Sequence, residues 1–280
     1  MNIRQALAQA QTLGLDRLDA QMLVLHALTR DPHDRAWLWS HDDTDLDDEQ
    51  VARLQSLQRR RLDGEPMGYL IGWQEFHGLR LEVDARVLVP RPDTETLVTW
   101  ALECLDRLNP LLSEPRVLDL GTGSGAIALA LSAARPHAVL EAVDASAEAL
   151  DVARRNAQRL AIPVHFHQGS WFQPVEGQHF HLIVSNPPYI ADGDPHMPAL
   201  RHEPLGALTA GPDGLEDLRH IVSKAPDHLV SGGWLLLEHG HDQAQAVRQL
   251  LELAGFTEVS SRTDLAGIER CSGGQRAFDG

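Results

Sequence analysis

An asparagine followed by two prolines and a tyrosine, Asn186-Pro187-Pro188-Tyr189, is the stretch of this chain whose residue types suit one chemical task. The prolines fix their own φ and push each preceding residue into an extended conformation, so the loop is stiff and lacks two N–H donors. Its carbonyls are left pointing outward. Asn186 adds a side-chain oxygen as a second acceptor, and Tyr189 offers an aromatic face. Two acceptors and a flat wall can hold a planar amide or amine against an electrophile. A rigid turn after a strand would account for the same residues on structural grounds alone.

A second constellation lies upstream. Val117-Leu118-Asp119-Leu120 runs into Gly121-Thr122-Gly123-Ser124-Gly125, and a helical pattern follows. Glycines at a strand-to-helix turn let the backbone pass close to a ligand and present amide donors at the helix start. The spacing is neither that of a dinucleotide fingerprint nor that of a phosphate-binding loop with its Gly-Lys-Ser/Thr. Asp144 closes the next apolar strand, where a carboxylate accepts both hydroxyls of a ribose. Loop and acid together select an adenosyl-type ligand.

The elements that must position these residues alternate from Arg116 onward. Strands are predicted at 116–120, 139–143, 163–167, 180–185, 233–238 and 256–260, with helices at 125–135, 146–160, 215–230 and 241–254. That alternation means a doubly wound α/β sheet, with Asn186 and Gly121 at strand carboxyl ends, where such sheets bind ligands. The Gly/Pro-rich stretch 191–214 is too long for a plain connection and reads as a substrate lid. Residues 1–75 read instead as a small helical bundle, with apolar stripes at Ile3, Leu7 and Ala10, at Leu18, Met22, Leu25 and Leu28 after an Asp16 cap, and at Val51, Leu54 and Leu57. The acidic run 42–49 and Arg59-Arg60-Arg61 read as solvated helix ends. Residues 66–90 read as a hairpin-like connector, with the domain boundary at 75, the connector proper at 76–90 and the sheet domain at 91–280. Within Arg91-Pro92-Asp93-Thr94-Glu95, the proline and the acids make a good first helical turn, and Arg91 and Glu95 are placed to line a pocket beside it.

Composition excludes several classes. At 280 residues, 43% hydrophobic and 23% charged, the chain is an ordinary globular protein. It shows neither a membrane-length apolar run nor a leader pattern, so a cytoplasmic protein with no membrane contact is expected. A formal net charge of -16 disfavours tracking of nucleic-acid phosphates and suits a basic protein partner. Cys104 and Cys271 read as packing residues of a reduced compartment. The pairs His165/His167, His179/His181 and His239/His241 lack an evident third ligand, so no metal is expected.

With those residues in hand, the chain resembles the S-adenosylmethionine-dependent methyltransferases, whose class I domain is Rossmann-like. More narrowly it resembles the protein-glutamine N5-methyltransferases that modify the Gly-Gly-Gln motif of class I peptide chain release factors. The likeness rests on residues 91–95 and 119–125, Ala142-Val143-Asp144, Val184-Ser185-Asn186-Pro187-Pro188-Tyr189 and Leu237-Glu238-His239-Gly240. It implies S-adenosylmethionine contacts at Gly121, Thr122, Gly123, Ser124, Gly125, Asp144, Trp171 and Asn186. It implies catalytic roles for Asn186, Pro187 and Tyr189, with the glutamine held by those residues and Pro188 beside Arg91 and Glu95. The bundle would dock the release factor. Ser170 stands where the family commonly has an acid near the adenine amino group.

Two rival substrates keep the same cofactor: an adenine N6 position of nucleic acid, and a ribosomal-protein glutamine. A non-catalytic adenosyl-binding module is a rival of another class, opposed by the intact 186–189 loop. The chain also carries its own Gly273-Gly274-Gln275, read here as a tight turn between terminal strands.

Overall fold

A computed structural model describes residues 1–108 and 113–278. The chain divides into two units, Met1–Trp73 and Gln74–Gly280. In the first, helices α1 (Ile3–Thr12), α2 (Arg17–Ala27), α3 (Arg35–Ser40), α4 (Asp48–Leu62) and α5 (Met67–Ile71) surround a core that includes Ile3, Leu23, Leu25 and Leu54. Caps start these helices. Asn2 and Asp47 each form a capping box with the glutamine three residues on, and Asp16 accepts from Leu18 N; such caps are worth about 1 kcal/mol each. Helix α2 departs from the single expected stripe. Leu23 and Val24 are buried as well as Met22 and Leu25, while Leu18 is 45% exposed, because α2 packs centrally and is covered on several sides. The expected hairpin over 66–90 begins later than the sequence suggests. Residues 67–71 instead form α5, which Gly72 ends in a left-handed cap.

A hairpin of β1 (Trp73–Phe76) and β2 (Leu79–Glu82) starts at the last residue of the first unit and continues in the second. Its two turn residues, His77 and Gly78, both have positive φ, as a turn matched to strand twist requires. A 3-10 turn, Pro92–Thr94, then leads into α6 (Glu95–Arg107).

The large sheet takes its strands from β3 (Arg116–Leu120), β4 (Val139–Asp144), β5 (His165–Gln168), β6 (Phe180–Ser185), β7 (Leu229–Glu238), β8 (Phe256–Thr263) and β9 (Glu269–Arg276), in the order β5-β4-β3-β6-β7-β9-β8. The first five are parallel, and β9 runs antiparallel between β7 and β8. Alternate side chains feed two cores. Val117, Leu182, Val184 and Leu236 face α6 and α7 (Ala126–Ala134); Leu118, Ile183, Leu235 and Leu237 face α9 (Glu216–His228) and α10 (Ala244–Leu253). Helix α8 (Ala147–Leu160) follows β4. No helix among the described residues is long and apolar enough to cross a membrane.

Strand bounds differ from expectation at four places, the first being β4, which ends at 144 rather than 143. β5 runs 165–168 rather than 163–167, β7 starts at 229 rather than 233, and β8 extends to 263 rather than 260. The Gly273-Gly274-Gln275 sequence is not a turn: it lies inside β9, a strand the sequence reading missed. Glycine is required there by close approach. A Cβ on Gly273 would stand 2.5 Å from Leu236 Cδ2 and 2.7 Å from the Leu235 carbonyl, and one on Gly274 would stand 2.8 Å from Phe256 Cβ. Gln275 donates its side-chain amide to Gly232 O at 2.8 Å.

Candidate active site

Register sets out the site as a row. Leu120 pairs with Val143 on one side and Ser185 on the other, and Ser185 pairs with Leu237. One residue further along, Asp144, Gly121, Asn186 and Glu238 therefore fall at one level across β4, β3, β6 and β7. The chain order reverses between β3 and β6, so this row crosses the topological switch point, where open α/β sheets form their crevice. The Ser185 hydroxyl donates to Leu120 O at 2.7 Å and ties the two central strand ends together.

The glycine loop is held from beneath by a buried acid. Asp119 Oδ2 accepts from Thr122 Oγ1 at 2.6 Å and from Ala128 N at 3.2 Å. Its Oδ1 has no partner among the described residues, and burial pushes the carboxyl up to about 7 despite those bonds. Asp144 meets the loop from the side: its Oδ2 accepts from Gly123 N at 2.8 Å and its Oδ1 from Ser146 N at 2.9 Å. Burial raises this carboxyl too, against the pull of the backbone donors. Each oxygen keeps a lone pair for a ligand.

Asn156 clamps the loop to its support. Its Nδ2 donates to Ser124 O and to Glu82 O, each at 3.0 Å, and its Oδ1 accepts from Glu82 N at 2.7 Å. Gly125 supplies the close approach of α7 to α8, since a Cβ there would meet Leu129 at 3.1 Å and Ala153 at 3.2 Å. Trp171 has φ +47, a conformation that costs a bulky residue energy and that aims its ring at Gly121.

Around these groups is a cavity of about 510 Å³. Gly121, Thr122, Gly123, Ser124, Asp144, Ser146, Ser170 and Trp171 line one part of it; Arg91, Thr94, Asn186, Pro188, Pro204 and Ala207 line another. The 191–214 segment is thus a wall of the cavity, and it is tied to its surroundings from within. Ile190 N donates to Leu208 O at 2.9 Å, and Glu203, only 7% exposed, accepts from Val89 N at 3.1 Å and pairs with Arg91. At the 186–189 loop, Asn186 Nδ2 donates to Thr94 Oγ1 at 3.3 Å. Tyr189 O accepts from Gln243 Nε2 at 3.0 Å.

Two family models match the chain: residues 1–72 match the PrmC N-terminal domain and residues 100–202 the methyltransferase small domain. A release factor glutamine methyltransferase of Xylella fastidiosa is 48% identical over 96% of this chain and 97% of its own length. One from Escherichia coli is 45% identical over 98% of this chain and 97% of its own. The chain belongs to the release factor glutamine methyltransferase family. A solved methyltransferase from Pyrococcus furiosus, 18% identical, shares the fold with a TM-score of 0.53 over 81% of this chain and 99% of its own.

As a member of the release factor glutamine methyltransferases, the chain brings Gly121, Thr122, Gly123, Ser124, Asp144, Trp171, Asn186, Pro188 and Arg91 to one cavity. Four other residues singled out from the sequence are not among its lining. Gly125 sits at the helix–helix contact described above, and Pro187 is buried. Tyr189 packs on the α9/α10 side of the sheet, and burial pushes its hydroxyl pKa up. The Glu95 carboxylate accepts from His77 N at 3.0 Å, at the turn of the β1–β2 hairpin.

Arg91 does line the cavity, but its charge is spent on Glu203. Sequence reasoning assigned no role to Thr94, Glu203 or Glu238 and did not single out Asp217, which lines the cavity and whose carboxyl burial raises. Glu238 had a readable signal: an acid ending the apolar run Trp234-Leu235-Leu236-Leu237 has nowhere to go but the row of strand ends.

Proposed function

We propose that this chain transfers a methyl group from S-adenosylmethionine to the side-chain amide nitrogen of the glutamine in the Gly-Gly-Gln motif of class I peptide chain release factors. The observation that carries this reading is the placement of Asn186, an amide acceptor on a proline-stiffened loop, in the same cavity as the glycine loop and Asp144. The lining suits an adenosyl group: a glycine floor under an indole, and a carboxylate whose two oxygens are each oriented by a backbone N–H. Gly121, Thr122, Gly123, Ser124, Asp144 and Trp171 would hold the cofactor, which supplies an electrophilic methyl group.

The chain's own residues do the positioning. A carboxamide nitrogen is a poor nucleophile because its lone pair is delocalised into the carbonyl. With one N–H accepted by Asn186 Oδ1 and the other by the Pro187 carbonyl, the nitrogen is held and its lone pair turns toward the electrophile. Good positioning of this kind is worth roughly 7–11 kcal/mol. The proton becomes acidic only as the new C–N bond forms and leaves late to water, so no strong base is needed.

The Met1–Trp73 unit would dock the folded partner. It presents Trp39, 66% exposed, with the Arg17 guanidinium over its ring at 5.3 Å. A cytoplasmic location follows from such a substrate.

The test is transfer of labelled methyl to purified release factor, to its Gln→Ala variant, to ribosomal protein and to DNA in parallel. Label is expected on the release factor and lost in its Gln→Ala variant. Label on DNA or ribosomal protein in its place would overturn the substrate, and transfer to none of them would overturn the enzymatic reading.

A further inference from the structure

The Asn186 amide carries an acceptor oxygen on one branch and a donor nitrogen on the other. Turned by half a rotation, it would meet a substrate N–H with another N–H. Something must hold it the right way round. The neighbours that can are Thr94, buried where the 3-10 turn meets α6, and Glu238, which ends β7 and is 2% exposed. Asn186 Nδ2 donates to Thr94 Oγ1 at 3.3 Å. Glu238 lies one residue beyond the Ser185–Leu237 pair, level with Asn186 at the neighbouring strand end; Thr94 and Asn186 favour its charged form, and Glu238 Oε2 has no hydrogen-bond partner among the described residues. Glu238 is not among the residues lining the cavity.

An ionised carboxylate only accepts. A Thr94 hydroxyl that turns its single proton toward that carboxylate has only lone pairs at Oγ1 left to offer Asn186, as the Asn186 Nδ2 to Thr94 Oγ1 bond requires. Lone pairs can be met only by the Nδ2 branch. We propose that Glu238, directly and through Thr94, fixes the amide of Asn186 so that its Oδ1 faces the cavity, which makes Glu238 and Thr94 positioning residues for the glutamine nitrogen. This inference rests on the glutamine-methylation reading above.

Protonation removes the constraint. A neutral Glu238 can donate, Thr94 is then free to donate to Asn186 Oδ1, and the amide can turn over. Burial, and to a lesser degree the Asp93 carboxylate, raise Glu238, while Thr94, Arg270 and Asn186 lower it, leaving it at about 7. The other titratable groups against it are Tyr189 and Cys271, both pushed up by burial and therefore neutral through this range. Turnover should accordingly fall as pH drops through about 7.

The experiment measures kcat, KM and the pH profile for methyl transfer to release factor, with S-adenosylmethionine affinity by calorimetry, in the wild-type chain, Glu238→Gln, Thr94→Val and Thr94→Ser. Glu238→Gln and Thr94→Val are expected to lower kcat about a hundredfold with cofactor affinity unchanged. Thr94→Ser, which keeps the hydroxyl, is expected to stay near wild type, and Glu238→Gln is expected to lose the acid limb of the profile. Should Glu238→Gln not fold, the Thr94 pair and the wild-type profile decide.

Wild-type transfer with Thr94→Val at full kcat, or an unchanged acid limb in Glu238→Gln, would overturn this inference alone. Absence of transfer by the wild-type chain would overturn the glutamine reading and this inference together.

Discussion

Asn186 concentrates at one residue what the site requires of a nucleophile's holder: an acceptor on a proline-stiffened loop that lines the cavity. Its truncation to alanine removes the acceptor without touching the glycine loop or Asp144. Asn186→Ala is therefore expected to lower turnover by at least about a hundredfold, the scale of losing one well-placed hydrogen-bonding group at a reacting centre. Cofactor affinity, measured by calorimetry, should change little. Near-normal turnover in that variant would show that the orientation of the amide is not what the loop supplies. The buried carboxyls beside it, Asp119 and Glu238, differ in task although burial raises both. Asp119 orders the loop through Thr122 and Ala128, whereas Glu238 faces Thr94 and Asn186.

At the scale of elements, β9 shows how packing rather than turn chemistry can demand glycine. Gly273 and Gly274 lie in a strand between β7 and β8, where both faces are occupied. A methyl group at Gly273 would press on the Leu235 carbonyl, which is backbone and cannot rotate away. Gly273→Ala is expected to destabilise the protein by roughly 1–3 kcal/mol, typical of overpacking a filled core, seen as a lower denaturation midpoint. Gly206→Ala, where an added Cβ meets nothing within 4 Å, is the matched control and should leave the midpoint in place. Equal midpoints for the two variants would show that β9 yields more readily than its contacts imply.

For the whole molecule, the two raised carboxyls make a statement about stability and pH. Asp119 moves from 3.8, and Glu238 from 4.5, up to about 7 on folding. Between those limits the folded chain keeps protons that the unfolded chain has released. Stability from these groups is thus fully present below the unfolded values and is lost as pH rises through about 7. Asp119→Asn removes one of the two. Denaturation followed between about pH 5 and pH 8 should show the wild-type chain losing stability relative to Asp119→Asn as pH rises. A constant difference across that window would mean that Asp119 stays ionised in the folded state.

The sequence by itself determined the sheet class, the glycine loop, Asp144 and the Asn186 loop, because each is written in local terms. Apolar runs mark buried parallel strands, glycines mark a strand-to-helix turn, and prolines stiffen their own backbone. It also carried the motifs on which the family likeness rests. What only the tertiary structure decided is contact between distant segments. That Glu203 would occupy Arg91, that Glu95 would serve the hairpin turn, that Thr94 and Glu238 would meet at Asn186, and that Gly273 would lie within a strand all depend on register across the sheet and on contacts between segments 18 to 114 residues apart. No periodicity or spacing within one segment encodes those meetings, since a side chain's partner is chosen by which strand ends the fold places side by side.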